Sequence, residues 1–136
     1  KTLALPVGFQ HGRALAIARF LEARRAVARV NYPGLESHPG HPIAARLFDG
    51  FGGMMSFELA GGVEAAERFM KKVTIPLVAP SLGGVETLMT RPATTSHLGM
   101  DPDERRALGI SDGLVRLSVG VEATEDLIAD FERALE

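Results

Sequence analysis

Cysteine is absent from all 136 residues. Its absence excludes disulfides and thiolate metal sites and is compatible with a cytoplasmic address. A surplus of either charge is missing too. Lys and Arg number 15 against 17 Asp and Glu, for a net charge of -2 and a pI near 6.1. Such a balance sets up no field that would gather a polyanion, which argues against nucleic acid as a partner. Long apolar runs are also lacking. None approaches the roughly 20 residues of a membrane-spanning helix, and the N-terminus lacks the layout of a secretory signal. The expectation is a soluble, cytoplasmic chain with no membrane partner. The stretch GFGG at 50–53 has neither the spacing nor the lysine of a phosphate-binding loop.

The composition that remains, 46% hydrophobic and 24% charged, is that of one ordinary globular domain, long enough to bury a core. The chain opens KTLALPVGF without an initiator methionine, as part of a longer protein would.

Periodicity predicts the elements. Ala14, Ile17, Ala18 and Leu21 share one stripe of a helix over residues 8 to 25, with Arg24 and Arg25 near its end to complement the dipole. VARVNYPG reads as a strand closed by a turn at Pro33 and Gly34. Pro42 opens a short helix through Phe48. In MMSFELA, Met55, Phe57 and Leu59 alternate with Met54, Ser56 and Glu58. Residues 63 to 72 form a helix with Ala66, Phe69, Met70 and Val73 facing inward. IPLVAPSLGG is an extended segment interrupted by Pro80, at an edge or ending there, and VETLM resumes as a strand. Asp101, Pro102 and Glu104 make a helix start, stopped by Gly109. After the strand GLVRLSVG, Thr124 caps a last helix with Leu127, Ile128, Phe131 and Leu135 inward. The fold class expected is α+β, one domain over 1–136, with helices packed on one face of a small, mainly antiparallel sheet.

Arg116 is the most informative single residue. It sits in the middle of an apolar strand, sharing a face with Leu114 and Ser118, where a charge needs an anion or a hydrogen-bond partner. Two readings follow from residue type: a structural ion pair with Glu86 or Glu122, or a bidentate clamp on a carboxylate. PSLGG at 80–84 is either a turn or an anion-accepting corner built from Ser81 and backbone N–H groups. His38 and His41, in SHPGHP, have no third ligand near in sequence, so no metal is expected there. A Ser81, His97, Asp112 triad lacks any supporting frame.

Three stretches together carry a resemblance. YPGLESHPGHPIA (32–44), APSLGGVETLMTRPATTSH (79–97) and GISDGLVRLSVGVEATEDLIADFERAL (109–135) are similar to the C-terminal part of the transsulfuration family. These are the pyridoxal-phosphate enzymes of cysteine and methionine metabolism, among them cystathionine gamma-synthase, the cystathionine lyases and methionine gamma-lyase. The resemblance spans essentially the whole chain. It implies the small C-terminal domain of a fold-type I enzyme, with a large N-terminal domain as partner, a homotetramer in the full enzyme, and a sulfur amino acid as substrate. It implies further that Arg116 binds the substrate α-carboxylate, and that Ser81 contacts the same carboxylate or the cofactor lysine. By the resemblance Ser96, just before His97, matches a hydroxyl residue close to the active site, and Pro80 faces the substrate side chain and influences specificity.

By the same resemblance pyridoxal 5'-phosphate and its lysine belong to the large domain. Lys1, Lys71 and Lys72 do not occupy the family's lysine motif, so the chain alone is expected to be inactive, with no catalytic, cofactor-binding or metal residues of its own. Pro6 and Gln10 depart from residues usually basic and histidine in the family. The reaction implied is a γ-elimination or γ-replacement on cystathionine or O-acylhomoserine. A non-catalytic amino-acid-binding or regulatory module and a purely structural docking fragment are the competing readings.

Overall fold

Alternation in MMSFEL decides the layering, because successive side chains of a strand leave on opposite faces. The computed structural model describes residues 4–36, 39, 53–78, 86–95 and 98–136, with residues 4–11 as helical backbone only. In strand β2 (Met54–Leu59), Met55, Phe57 and Leu59 are buried and Met54, Ser56 and Glu58 face the other way. Strand β5 (Val115–Ser118) repeats the pattern, burying Val115 and Leu117 against the same core and turning Arg116 outward.

Among the described residues five strands make one mixed sheet in the order β1-β2-β5-β4-β3. β1 (Val27–Asn31), β2, β5 and β4 (Leu88–Thr90) pair antiparallel in turn, and the two-residue edge strand β3 (Leu77–Val78) lies parallel to β4. An irregularity between Val27 and Arg29 adds a residue to β1. Such a bulge resets which face each side chain takes: Val27 and Val30 join the core while Arg29 and Asn31 turn outward.

Helices α1 (Ala4–Glu22), α2 (Gly62–Lys72) and α4 (Thr124–Ala134) cover the inner face. α1 contributes Ala14, Ile17, Ala18 and Leu21 to the core, as its stripe predicts. It ends three residues earlier than expected. After Leu21 the stripe is exhausted, and the amide of Arg24 bonds the Leu21 carbonyl at 3.0 Å as the chain tightens toward β1. Arg24 therefore lies beyond the helix, over the Phe20 ring and beside Glu132. Phe57, Phe69 and Phe131 join sheet, α2 and α4. The Phe57 and Phe69 rings meet edge to face at 5.7 Å, and Phe69 and Phe131 tilt together at 5.6 Å, the arrangement that ring quadrupoles favour.

α3 (Pro102–Ala107) begins and ends as its sequence dictates. The Asp101 carboxylate accepts from the amides of Asp103 and Glu104. At the far end Gly109, at φ +83, supplies the left-handed residue that lets Ile110 N–H reach the Arg105 carbonyl. At α4 the expectation shifts by one residue. Ala123, not Thr124, is the cap, and its carbonyl accepts from the amides of Asp126 and Leu127 at 3.1 Å. Thr124 makes no side-chain cap; Glu125 and Asp126 supply the negative charge that the first turn favours. The expected strand VETLM is shorter, with Thr87 bonded elsewhere before β4 starts. The helix expected from Pro42 to Phe48 lies outside the described residues.

Candidate functional site

The outer face of the sheet carries a polar row instead of a core. Register places Asn31 opposite Ser56, Ser56 opposite Arg116, and Arg116 opposite Thr90, so four strands each contribute one polar side chain in line. Cross-strand partners on one face stand about 5 Å apart. Asn31 Nδ2 donates to Ser56 Oγ at 3.1 Å. Thr95 Oγ1 donates to the Arg91 carbonyl at 2.9 Å and lies 3.0 Å from Thr90 Oγ1, so the hydrogen between the two threonines comes from Thr90. Arg116 itself is half-buried in the middle of the row. An ion pair between Arg29 and Glu58, whose other oxygen accepts from Ser111 Oγ at 3.1 Å, flanks the row on the β1 and β2 side.

Glu122, one of the two acids that the sequence offers to Arg116, accepts from Thr87 through both carboxylate oxygens. The Thr87 amide reaches Glu122 Oε2 at 3.0 Å and the Thr87 hydroxyl reaches Oε1 at 2.6 Å. Asp112 is likewise engaged. Hydrogen bonds from Arg105, and then from Arg106, hold its carboxyl below the usual carboxylate range. Burial pushes the Tyr32 phenol up to about 12, so it stays neutral. Ser81, Ser96 and Pro80 lie outside the described residues, as do His38, His41 and His97. Among the described residues no cluster of three or more His, Asp or Glu could hold a metal ion, and no helix is long and apolar enough to cross a membrane.

Sequence reasoning placed Arg116 on a face opposite the core and missed its row. The signal was available for Ser56, because the alternation that buries Phe57 turns Ser56 outward. Nothing local marks Thr87 and Glu122, which are 35 residues apart.

The family described as Cys/Met metabolism PLP-dependent enzyme matches residues 1–136. Cystathionine beta-lyase of Lactococcus lactis subsp. cremoris (strain MG1363) is 49% identical over 136 residues, which are 100% of this chain and 36% of the relative. Cystathionine gamma-synthase 1, chloroplastic, of Arabidopsis thaliana is 46% identical over 136 residues, 24% of its length. The crystal structure of cystathionine gamma synthase from Xanthomonas oryzae pv. oryzae in complex with cystathionine superposes with a TM-score of 0.94 at 46% identity, over 98% of this chain and 35% of that one. The chain thus spans about a third or less of the length of these relatives. With a match that runs from its first residue to its last, the chain belongs to the Cys/Met metabolism PLP-dependent enzymes.

Proposed function

We propose that this chain is the C-terminal, substrate-carboxylate-binding domain of a PLP-dependent sulfur amino-acid enzyme that catalyses γ-elimination or γ-replacement on cystathionine or O-acylhomoserine. The observation that carries this reading is the position of Arg116: a guanidinium in the central strand, on the face that the helices leave to polar groups, between two hydroxyl-bearing strands. A planar fork binds a carboxylate through two parallel hydrogen bonds, and a half-buried setting strengthens them. Orienting an amino acid by its carboxylate fixes where its Cα–H bond points, which is the geometry that proton removal requires.

PLP acts as an electron sink in such chemistry. The described residues do not fit holding it through a lysine beside Arg116. The row contains an amide, two hydroxyls and a guanidinium, while Lys71 and Lys72 stand in the last turn of α2, where Lys72 Nζ donates to the Glu136 carbonyl at 2.8 Å. This donor set supports a division of labour in which a large N-terminal domain holds the cofactor and this chain holds the substrate anion, with Ser81 and Ser96 as further contacts and Pro80 tuning specificity.

The test is steady-state kinetics of the full-length protein with Arg116→Lys, offered cystathionine and then O-acylhomoserine with cysteine. The expected result is a KM raised about tenfold or more, the scale of a lost charge-assisted hydrogen bond. An unchanged KM on both substrates overturns the reading. Submicromolar binding of a free amino acid by the isolated chain without cofactor, measured by calorimetry, would replace it with the amino-acid-binding module.

A further inference from the structure

Thr87 is fully buried, yet each of its polar groups has a partner, and three of the four bonds reach the region just beyond β5. Its amide and hydroxyl both donate to the Glu122 carboxylate, its hydroxyl accepts from the Gly120 amide at 2.9 Å, and its carbonyl accepts from the Leu77 amide at 2.9 Å. The Glu122 backbone carbonyl in turn accepts from Arg13 on α1. One carboxylate thereby ties the lead-in of β4 to the exit of β5, with α1 and β3 attached to the same point. The tie lies three residues from Thr90 and four to six residues from Arg116, the two positions that face each other in the register.

We propose that Glu122 is a positioning residue for the recognition of the substrate carboxylate. Through Thr87 it fixes β4 against β5, and so fixes the platform from which Arg116 extends. Among the described residues the β4 strand has three residues and its outer neighbour two, so few described ladder hydrogen bonds hold that side of the row, and a doubly bonded carboxylate at its entrance carries more of the register than it would in a long strand. The inference rests on the carboxylate reading of Arg116. It assigns Glu122 an effect on substrate binding that the sequence chemistry alone reserved for a direct ion pair.

The experiment is a double-mutant cycle on the full-length enzyme, with KM and kcat for cystathionine and a thermal melt recorded for each variant. Glu122→Gln keeps one acceptor oxygen and removes the charge. It should raise KM about tenfold and change kcat by less than about threefold. In an Arg116→Lys background the same change should move KM by less than about twofold, since a residue that acts through another loses its effect when that other is gone. Thr87→Ser, which keeps the hydroxyl, should stay near the parent enzyme, and Thr87→Val should reproduce Glu122→Gln. If Glu122→Gln fails to fold, Thr87→Val takes its place in the cycle. A full tenfold effect that survives in the Arg116→Lys background, or a KM unmoved by both Glu122→Gln and Thr87→Val, overturns the proposal while leaving Arg116 in its role. An Arg116→Lys variant with unchanged KM removes the carboxylate reading itself, and the inference with it.

Discussion

One sheet presents two faces that obey opposite rules. On the inner face Phe57, Val115, Leu117 and Met89 are sealed by three helices into a continuous apolar core. On the outer face their chain neighbours Ser56, Arg116 and Thr90 line up as a polar row one strand spacing apart. Burial of a large apolar side chain contributes about 1.5–3 kcal/mol, whereas an exchange of hydrogen bonds with water for hydrogen bonds within the sheet nets about 1 kcal/mol. The inner face therefore holds the fold, and the outer row adds comparatively little to it.

The sharpest break in this comparison is Phe57→Ala. Phe57 is fully buried, and its ring meets Phe69, which in turn meets Phe131, so its loss opens a cavity where β2, α2 and α4 converge. Truncation of a core phenylalanine costs about 3–5 kcal/mol, a large part of the stability of a domain this size. Urea titration should show a midpoint shifted far down, or a protein already unfolded in buffer. A loss below about 1 kcal/mol would mean that the inner face is not the core.

Asp130 is a buried carboxylate on α4, and its removal ranks next. Burial works against its charged form. Hydrogen bonds from the Ile75 and Thr74 amides, the Thr74 hydroxyl and Arg133 outweigh that penalty and hold its carboxyl below the usual range. These bonds staple the turn between α2 and β3 to α4. Asp130→Asn leaves amide donors facing a group that can accept only in part, at about 1–3 kcal/mol. A carboxyl whose folded pKa is depressed gives its full contribution above the unfolded value of about 3.9 and loses it as the pH falls through the lower folded value. The stability gap between parent and Asp130→Asn should thus be constant near neutrality and narrow in acid. A gap that widened on acidification would reverse the assignment.

Legibility followed range. The helix start at Asp101 and its stop at Gly109 could be read because every participant lies within nine residues. The two faces of β2 and β5 could be read because alternation is local. The core stripe of α1 was equally plain, although its end was set by the turn into β1 and not by the arginines that follow. What escaped was long-range. The bulge between Val27 and Arg29 appears only when β1 meets β2, the parallel pairing of β3 with β4 depends on contacts the sequence does not announce, and the ties of Thr87 to Glu122 and of Thr74 to Asp130 join residues 35 and 56 positions apart. Arg116 was singled out by its misfit in an apolar strand. Its neighbours in the row, each unremarkable in its own segment, were not.

The smallest expected effect sharpens the comparison most, because it sits one residue from the largest. Ser56 precedes Phe57 on β2 and faces the other way, with its hydroxyl bonded to the Asn31 amide. Ser56→Ala removes one partly buried hydrogen bond and should cost no more than about 1 kcal/mol. In the double variant Asn31→Ala, Ser56→Ala both partners are gone and no polar group is stranded, so the cost should not exceed that of the single change, since deleting a matched pair avoids the penalty of an unsatisfied donor. Denaturant midpoints of the two variants beside Phe57→Ala measure the asymmetry directly. If Ser56→Ala were as damaging as Phe57→Ala, the outer row would be part of what holds the fold together, and its polar side chains would owe their identity to stability and not to a ligand.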